Sequence, residues 1–314
     1  MTDISSIISK ETSKELPEDI QFLVKAIIRT YGDAVCCILF YGSCLRNGNV
    51  YDGIVDFYVI VNSYCKAYKN RFFTLLNSIL PPNVFYIEVA NLDGKTLRAK
   101  YSIFSLKHIK KMTTLSSFNP YLWARLVQPV RIVFTKDEDA KEIIEQSILK
   151  SATTFLTKVL PCLPTKIDSK TLWDKAFLLT YKTEIRPENK NTVVNIYKSN
   201  PIYFDNILMS TIKILSYPIN IKKSDSDFYL EVHITKRIRI FYYITWFIRI
   251  IEGKILTFLR LIKSLFTFKG ALSYGYYKLS KHTPDVVIPK IIKKSLFFSC
   301  LYTFFASIKR QIIK

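Results

Sequence analysis

A mixed α/β fold of the α+β kind is predicted by three observations. Two short apolar runs, 34–41 and 54–61, are bounded by turn residues and read as buried strands. Amphipathic helical periods flank them. From residue 137 onward the pattern turns helical, over 137–160 and 169–182. A length of 314 residues favours more than one unit. The expected division is 1–136 for the strand-bearing unit, 137–235 for a helical domain closing over it, and 236–314 for a basic amphipathic segment.

Each element has its local signal. Pro17-Glu18-Asp19 opens a helix running to about Thr30, and Gly32-Asp33 ends it. The strand at 34–41 runs into Gly42-Ser43 and then a polar, turn-rich stretch through Asp52-Gly53. The strand at 54–61 is apolar except for Asp56, and a helix is expected over 64–80, stopped by Pro81-Pro82. A third strand, 84–90, carries Glu88. Asp93-Gly94 then reads as a hairpin turn into a fourth strand over 95–105. Helices near 106–112 and 121–126 and a strand over 129–134 complete the unit.

The charge is lopsided. Lys and Arg number 46 against 25 Asp and Glu, giving +21, which calls for an anionic partner. Residues 232–314 hold 16 of the basic residues and only Glu252 and Asp285 as acids, among many Ile, Leu, Phe and Tyr. Basic residues among apolar ones suit an anionic membrane surface better than a nucleic-acid groove; no nucleic-acid partner is expected. The longest late uncharged run, 295–308, is too short to span a bilayer, which takes about 20 residues. Lys293-Lys294 and Lys309-Arg310 bracket it. Over 240–268, Arg249, Glu252, Arg260 and Lys263 fall within a helical strip about 80° wide. Two readings stay open for this helix: it packs in a groove of its own protein, or it lies in the headgroup layer with those basic residues on anionic lipid. The six cysteines form no CxxC pair, there are three His, and no apolar leader opens the chain. A zinc site is therefore not expected. The expected location is the cytoplasmic side of a membrane, peripherally bound.

The chemistry centres on strand, Gly-Ser, short element, and strand with Asp. Gly42 permits a tight turn and close approach to a phosphate. Ser43 adds a hydroxyl and a backbone N–H at a helix start, where the partial positive charge attracts anions. Strand carboxylates hold Mg²⁺ against nucleotide phosphates. Twelve residues separate Ser43 from Asp56, a spacing used by the polymerase-β-like nucleotidyltransferase fold. The usual Asp-hydrophobic-Asp/Glu pattern of that fold is here Asp56-Phe57-Tyr58, without the second carboxylate. Asp52 and Glu88 are the two candidates to complete the metal set. Asp52 shares the face of Asp56 if the stretch between them is extended. The competing readings are a turn-forming Asp beside Gly53, and an ordinary edge carboxylate for Glu88. Arg98 and Lys100 alternate on one strand and point to one face, where they could hold a triphosphate. Arg125 and Arg131 flank Pro129 and could act similarly.

Those blocks, in order, resemble the mitochondrial-type phosphatidate cytidylyltransferases, the translocator assembly and maintenance family. Phe40-Tyr41-Gly42-Ser43 is similar to that family's Tyr-Gly-Ser-Gly turn, and Val55-Asp56-Phe57 to its Ile/Leu-Asp-Phe strand. Lys100-Tyr101-Ser102 resembles its Lys-Tyr-Gly block. Tyr121 to Arg125 with Gln128 to Ile132 resembles its Leu-Tyr-x-Ala-Gly-Arg and Lys-Pro-Val-x-Ile block. Leu179 to Arg186 resembles its Leu-Ser-Tyr-x-Gly-Asp-x-Arg block. Cys44 stands where the family has glycine, and Glu184 where it has aspartate. The likeness covers about residues 20–190. It implies CTP plus phosphatidate giving CDP-diacylglycerol and pyrophosphate, with Mg²⁺ as cofactor. Asp56 and Lys100 would be catalytic. Gly42, Ser43, Arg98, Arg125, Glu184 and Arg186 would bind the nucleotide and its phosphates, and Asp52 or Glu88 would assist Asp56 at the metal. Two other classes fit the residues: a nucleotidyltransferase acting on RNA or protein, and a non-catalytic membrane adaptor on the same scaffold.

Overall fold

Apolar alternation and turn chemistry build the first unit strand by strand. The computed structural model describes residues 3–185, 190–223 and 228–267. Its first half runs α1 (Ile4–Thr12), α2 (Ile20–Tyr31), β1 (Val35–Tyr41), α3 (Ser43–Asn47), β2 (Val55–Val61), α4 (Tyr64–Ala67), α5 (Arg71–Ile79) and β3 (Asn83–Ala90). It continues through β4 (Thr96–Ser105), α6 (Leu106–Met112), α7 (Trp123–Leu126) and β5 (Arg131–Thr135). The five strands form one mixed sheet in the order β3-β4-β2-β1-β5, in which only β2 and β4 run parallel.

The helix expected over 64–80 is two helices. Asn70 takes an extended backbone and its side chain accepts the N–H of Phe72, capping a new start. The polar N-terminal stretch, for which no element was expected, folds as α1, whose Ile4 and Ile8 enter the core.

The second half runs α8 (Glu138–Val159), β6 (Lys166–Asp168), α9 (Ser169–Tyr181), α10 (Lys190–Ser199), α11 (Pro201–Ile212), β7 (Ile219–Lys223), β8 (Phe228–Val232) and α12 (Lys236–Thr267). The stretch expected to be helical therefore also carries a three-stranded antiparallel sheet, β6-β8-β7. These strands are three to five residues long, too short for alternation to declare them.

The large sheet buries both faces. Phe57, Val59 and Val61 meet Ile20, Leu23, Val24 and Ile27 of α2. Tyr58 and Ile60 point the other way, into a core shared with Trp123, Phe155, Trp173, Phe177 and Phe204. This second core runs without a break across residue 136, from the sheet into α8, α9 and α11. Trp246 of α12 closes it, packing edge-on against Trp123 at 6.2 Å between ring centres and donating its indole N–H to the Lys158 carbonyl at 2.8 Å. Among the described residues no helix is long and apolar enough to cross a membrane.

The polar strip of α12 faces inward. Arg249 donates from Nε to the Phe118 carbonyl at 3.0 Å, and Glu252 accepts from Asn119 at 3.2 Å. Arg260 donates to the Pro81 carbonyl at 2.9 Å, and Lys263 to the carbonyls of Leu80 and Pro82. Of the two readings open for this strip, packing against its own protein is the one these contacts match, and the reading that sets these basic residues on lipid does not hold. Loop carbonyls without ladder partners need donors, and the strip supplies them. The segment bracketed by Lys293-Lys294 and Lys309-Arg310 lies outside the described residues.

Candidate active site

The site begins where β1 ends. Tyr41 pairs with Asp56 in the antiparallel register, so the Gly42 turn falls beside the first residues of β2. Gly42 has φ +92°, and a Cβ built on it would lie 2.7 Å from Oδ2 of Asp56. Only glycine brings backbone this close to that carboxylate. Ser43 then opens α3. Cys44, at the position where a glycine was expected, causes no strain: its side chain is buried, with Sγ donating to the Ile54 carbonyl at 3.3 Å. Gly53 makes that room, since a Cβ there would lie 2.6 Å from the sulfur.

The parallel register of β2 and β4 sets Lys100 opposite Asp56, and Nζ meets Oδ1 at 3.0 Å. The Asp56 side chain keeps 20% of its surface accessible and Lys100 33%, so a ligand can reach both. Arg98 lies two residues upstream on the same face of β4, as its spacing predicts. It faces Glu88 across the antiparallel pair, with Nε to Oε1 at 3.3 Å, and Glu88 also accepts from Tyr86 at 2.6 Å.

Asp52, Asp56 and Glu88 do not converge. Residues 51–53 form a bend rather than extended chain, so Asp52 is not carried along the face of Asp56. Instead Asn49 holds it, with Nδ2 donating to Oδ2 at 2.6 Å and Oδ1 accepting the Asp52 backbone N–H at 3.2 Å. Glu88 is engaged by Arg98. Among the described residues no three His, Cys, Asp or Glu side chains gather closely enough to hold a metal ion.

Tyr58, where a second carboxylate was sought, is fully buried and stacks on Tyr41 at 4.0 Å between ring centres. Burial, the neighbouring tyrosine and Asp56 hold the Tyr41 hydroxyl well above its ordinary value, so it stays protonated. Arg125 of α7 lies close enough to both rings to act on them electrostatically.

Arg125 donates from Nη2 to Oε1 of Glu184 at 2.6 Å, and its guanidinium lies over Tyr121 at 4.6 Å. Glu184 follows the end of α9, so this bond ties the two halves together. The guanidinium of Arg260 from α12 also lies over the Tyr121 ring, at 4.5 Å. The ring therefore carries two cations, an arrangement its electron-rich faces stabilise. Sequence reading placed Arg260 in the polar strip and left its surroundings open between protein and lipid; its pairing with Tyr121 had no local signal. Arg131 is taken up by Glu11 of α1 at 2.5 Å and serves packing. Arg186 lies outside the described residues.

The geometry thus brings Gly42, Ser43, Asp56 and Lys100 together at one end of the sheet's central strands, and sets Arg125, bound to Glu184, near the Tyr41–Tyr58 pair. Arg98 and Glu88 form a separate pair farther along the same face. Comparison of the chain with protein-family models and with curated proteins finds no match in either.

Proposed function

We propose that the chain is a phosphatidate cytidylyltransferase on a polymerase-β-like nucleotidyltransferase scaffold, making CDP-diacylglycerol and pyrophosphate from CTP and phosphatidate. The observation that carries this reading is the contact of the Gly42 turn with the Asp56 carboxylate, with Lys100 beside it. A phosphate-approaching turn touching a strand carboxylate suits a nucleotide bound with its divalent ion. The resemblance of the blocks around these residues supplies the base and the acceptor.

The donor set decides what kind of metal site is tenable. One accessible carboxylate does not cage an ion by itself. It fits Mg²⁺ that arrives with the nucleotide, because Mg²⁺ is commonly held by one or two carboxylates plus substrate phosphates. Asp56 would be that ligand, and the ion would neutralise charge on the reacting phosphate. The protein's own groups do the rest. Lys100 exchanges its contact with Asp56 for the nucleotide's phosphates, and Ser43 offers its hydroxyl and N–H to them. Arg125, fixed by Glu184, adds a second cation. A phosphate oxygen of phosphatidate attacks the α-phosphorus of CTP. The new P–O bond forms as the α–β bridging bond breaks, and pyrophosphate leaves with the electron pair. The nucleophile is already anionic, so the site needs no strong general base.

The full chain should form CDP-diacylglycerol from CTP, phosphatidate and Mg²⁺, measured by radiolabelled product extraction. Asp56→Asn should lower the rate by about 10³-fold or more, the scale of losing a charge that anchors the metal-bound nucleotide. Product with an RNA or protein acceptor, and none with phosphatidate, would sink the lipid reading.

The ion pairs of Asp56 and Glu88 favour a second reading, a non-catalytic adaptor whose former ligand carboxylates are permanently neutralised. Calorimetry separates the two: CTP binding that needs Mg²⁺ rules out the adaptor, and absence of binding rules out the enzyme.

A further inference from the structure

The inward turn of the polar strip leaves the other side of α12 uncovered among the described residues. Thirteen large apolar side chains on this one helix are exposed by more than a third, among them Phe241 at 63%, Phe247 at 66% and Phe266 at 67%. Single exposed apolar residues are ordinary, but a contiguous stripe marks a surface that meets something apolar. A helix of 32 residues carries it over about 48 Å. Beside the stripe, α9 and α12 enclose a groove of about 450 Å³, lined by Leu178, Leu179, Trp246 and Phe247, with Lys175 and Lys182 at its margin.

Charge selects the occupant. The exposed charges of α12 are Lys236, Arg237 and Lys254, and none is acidic. Lys236 and Lys254 fall on one edge of the apolar stripe, where long stems lie along apolar surface and ammonium groups reach out to anions. Lys175 and Lys182 are exposed as well. Residues 268–314 add nine Lys or Arg against one Asp. A second copy of this chain, itself at +21, would bring like charge to such a rim. An anionic lipid surface offers an apolar interior for the stripe and negative headgroups for its basic rim.

We propose that the outward face of α12 docks on an anionic bilayer by inserting its apolar side chains, while the basic strip of the same helix stays clasped to the protein. The usual assignment of a basic amphipathic helix is thereby reversed. Affinity comes from the inserted apolar face and from rim cations, with Arg249, Arg260 and Lys263 reserved for loop carbonyls. The face is separate from the Asp56 site, so the proposal does not depend on the chemistry above.

Flotation of the full chain with phosphatidylcholine vesicles, with and without phosphatidylglycerol, tests it. The wild type should float with the anionic vesicles. The triple variant Phe241→Gln, Phe247→Gln and Phe258→Gln changes exposed positions only and should keep the wild-type melting curve. Its vesicle partition coefficient should fall by about tenfold or more, the scale of removing several inserted aromatic groups. Equal flotation of wild type and triple variant, or no flotation of the wild type, overturns the proposal. A Phe247→Trp reporter addresses other occupants. Acrylamide should quench it in solution, and anionic vesicles should protect it. Protection before any vesicle is added would mean that a second copy or the chain's own later residues cover the face, and overturns the proposal too. CTP turnover enters neither readout, so this failure is distinguishable from failure of the proposed activity.

Discussion

Gly42 carries more of the site than any other residue, because two constraints meet there. Its backbone needs positive φ, and its missing side chain is the space the Asp56 carboxylate fills. Gly42→Ala should therefore cost about 1–3 kcal/mol of stability, the combined scale of a strained backbone and a close contact. It should also depress nucleotidyl transfer more than stability alone explains, since the turn would back away from Asp56. Urea unfolding and initial rates on the same preparation check both. A variant as stable and active as wild type would mean that the turn and the carboxylate do not act together. At this scale much of the site was legible: Gly42, Ser43 and Asp56 stood out by residue type and spacing, and strand alternation put Arg98 and Lys100 on one face. The pairing of Lys100 with Asp56 was not legible, because β2 and β4 are separated in sequence by α4, α5 and β3; that of Arg98 with Glu88 depends on the exact register of the hairpin between them, which a turn signal alone does not set. For Asp52 both a turn role beside Gly53 and a metal role stood open, and the bend that Asn49 stabilises matches the turn.

Among the elements, α12 gives the sharpest test. Gly253 sits in mid-helix, where alanine would ordinarily be favoured by about 1 kcal/mol. Here a Cβ would lie 2.7 Å from both Cβ and the carbonyl oxygen of Thr183. That contact involves backbone and cannot relax cheaply, so Gly253→Ala should destabilise by about 1–3 kcal/mol, opposite in sign to the propensity. Thr183 adjoins Glu184, so the substitution should also loosen the Arg125–Glu184 bond and slow turnover. Chemical denaturation decides it, and a stabilised variant would mean that α12 does not seat against the loop after α9. Helical period marked this helix and its polar strip in the sequence. Period alone could not say which side of it is wet, because a strip of four polar residues suits both a lipid surface and a set of bare carbonyls.

For the whole molecule, the same clasp links stability to pH. Lys263 is buried against the Leu80 and Pro82 carbonyls; burial, and then Arg260, lower its pKa from an ordinary 10.5 to about 7. Lys158 of α8 is lowered to about 8 by burial and then Arg249. A lysine depressed in the folded state destabilises it at low pH, where the buried amine must be charged. Between the folded and unfolded values the unfolded chain holds the extra protons, so stability rises with pH. Wild-type stability should gain about 1–2 kcal/mol from Lys263 between about pH 7 and pH 9, at 1.36 kcal/mol per unit for one proton and less for partial burial. Lys263→Met should remove that rise and lower stability by about 1–3 kcal/mol, since two carbonyls lose their donor. Urea titrations across this range measure both effects. Identical pH slopes in the two proteins would show that the amine is not held as the contacts indicate.

The sequence by itself determined the mixed α/β class, most of the long elements, the Gly42-Ser43 turn with Asp56, and the concentration of basic and apolar residues in the last quarter. All of these follow from local period, turn chemistry and residue type. The tertiary structure alone decided which carboxylates meet which cations, that Asp52, Asp56 and Glu88 do not gather into a metal-holding group, that Arg125 and Arg260 both lie over Tyr121, and that the basic strip of α12 turns inward. Those depend on register and packing between segments from 10 to 183 residues apart. A backbone carbonyl in need of a donor leaves no mark in the order of side chains.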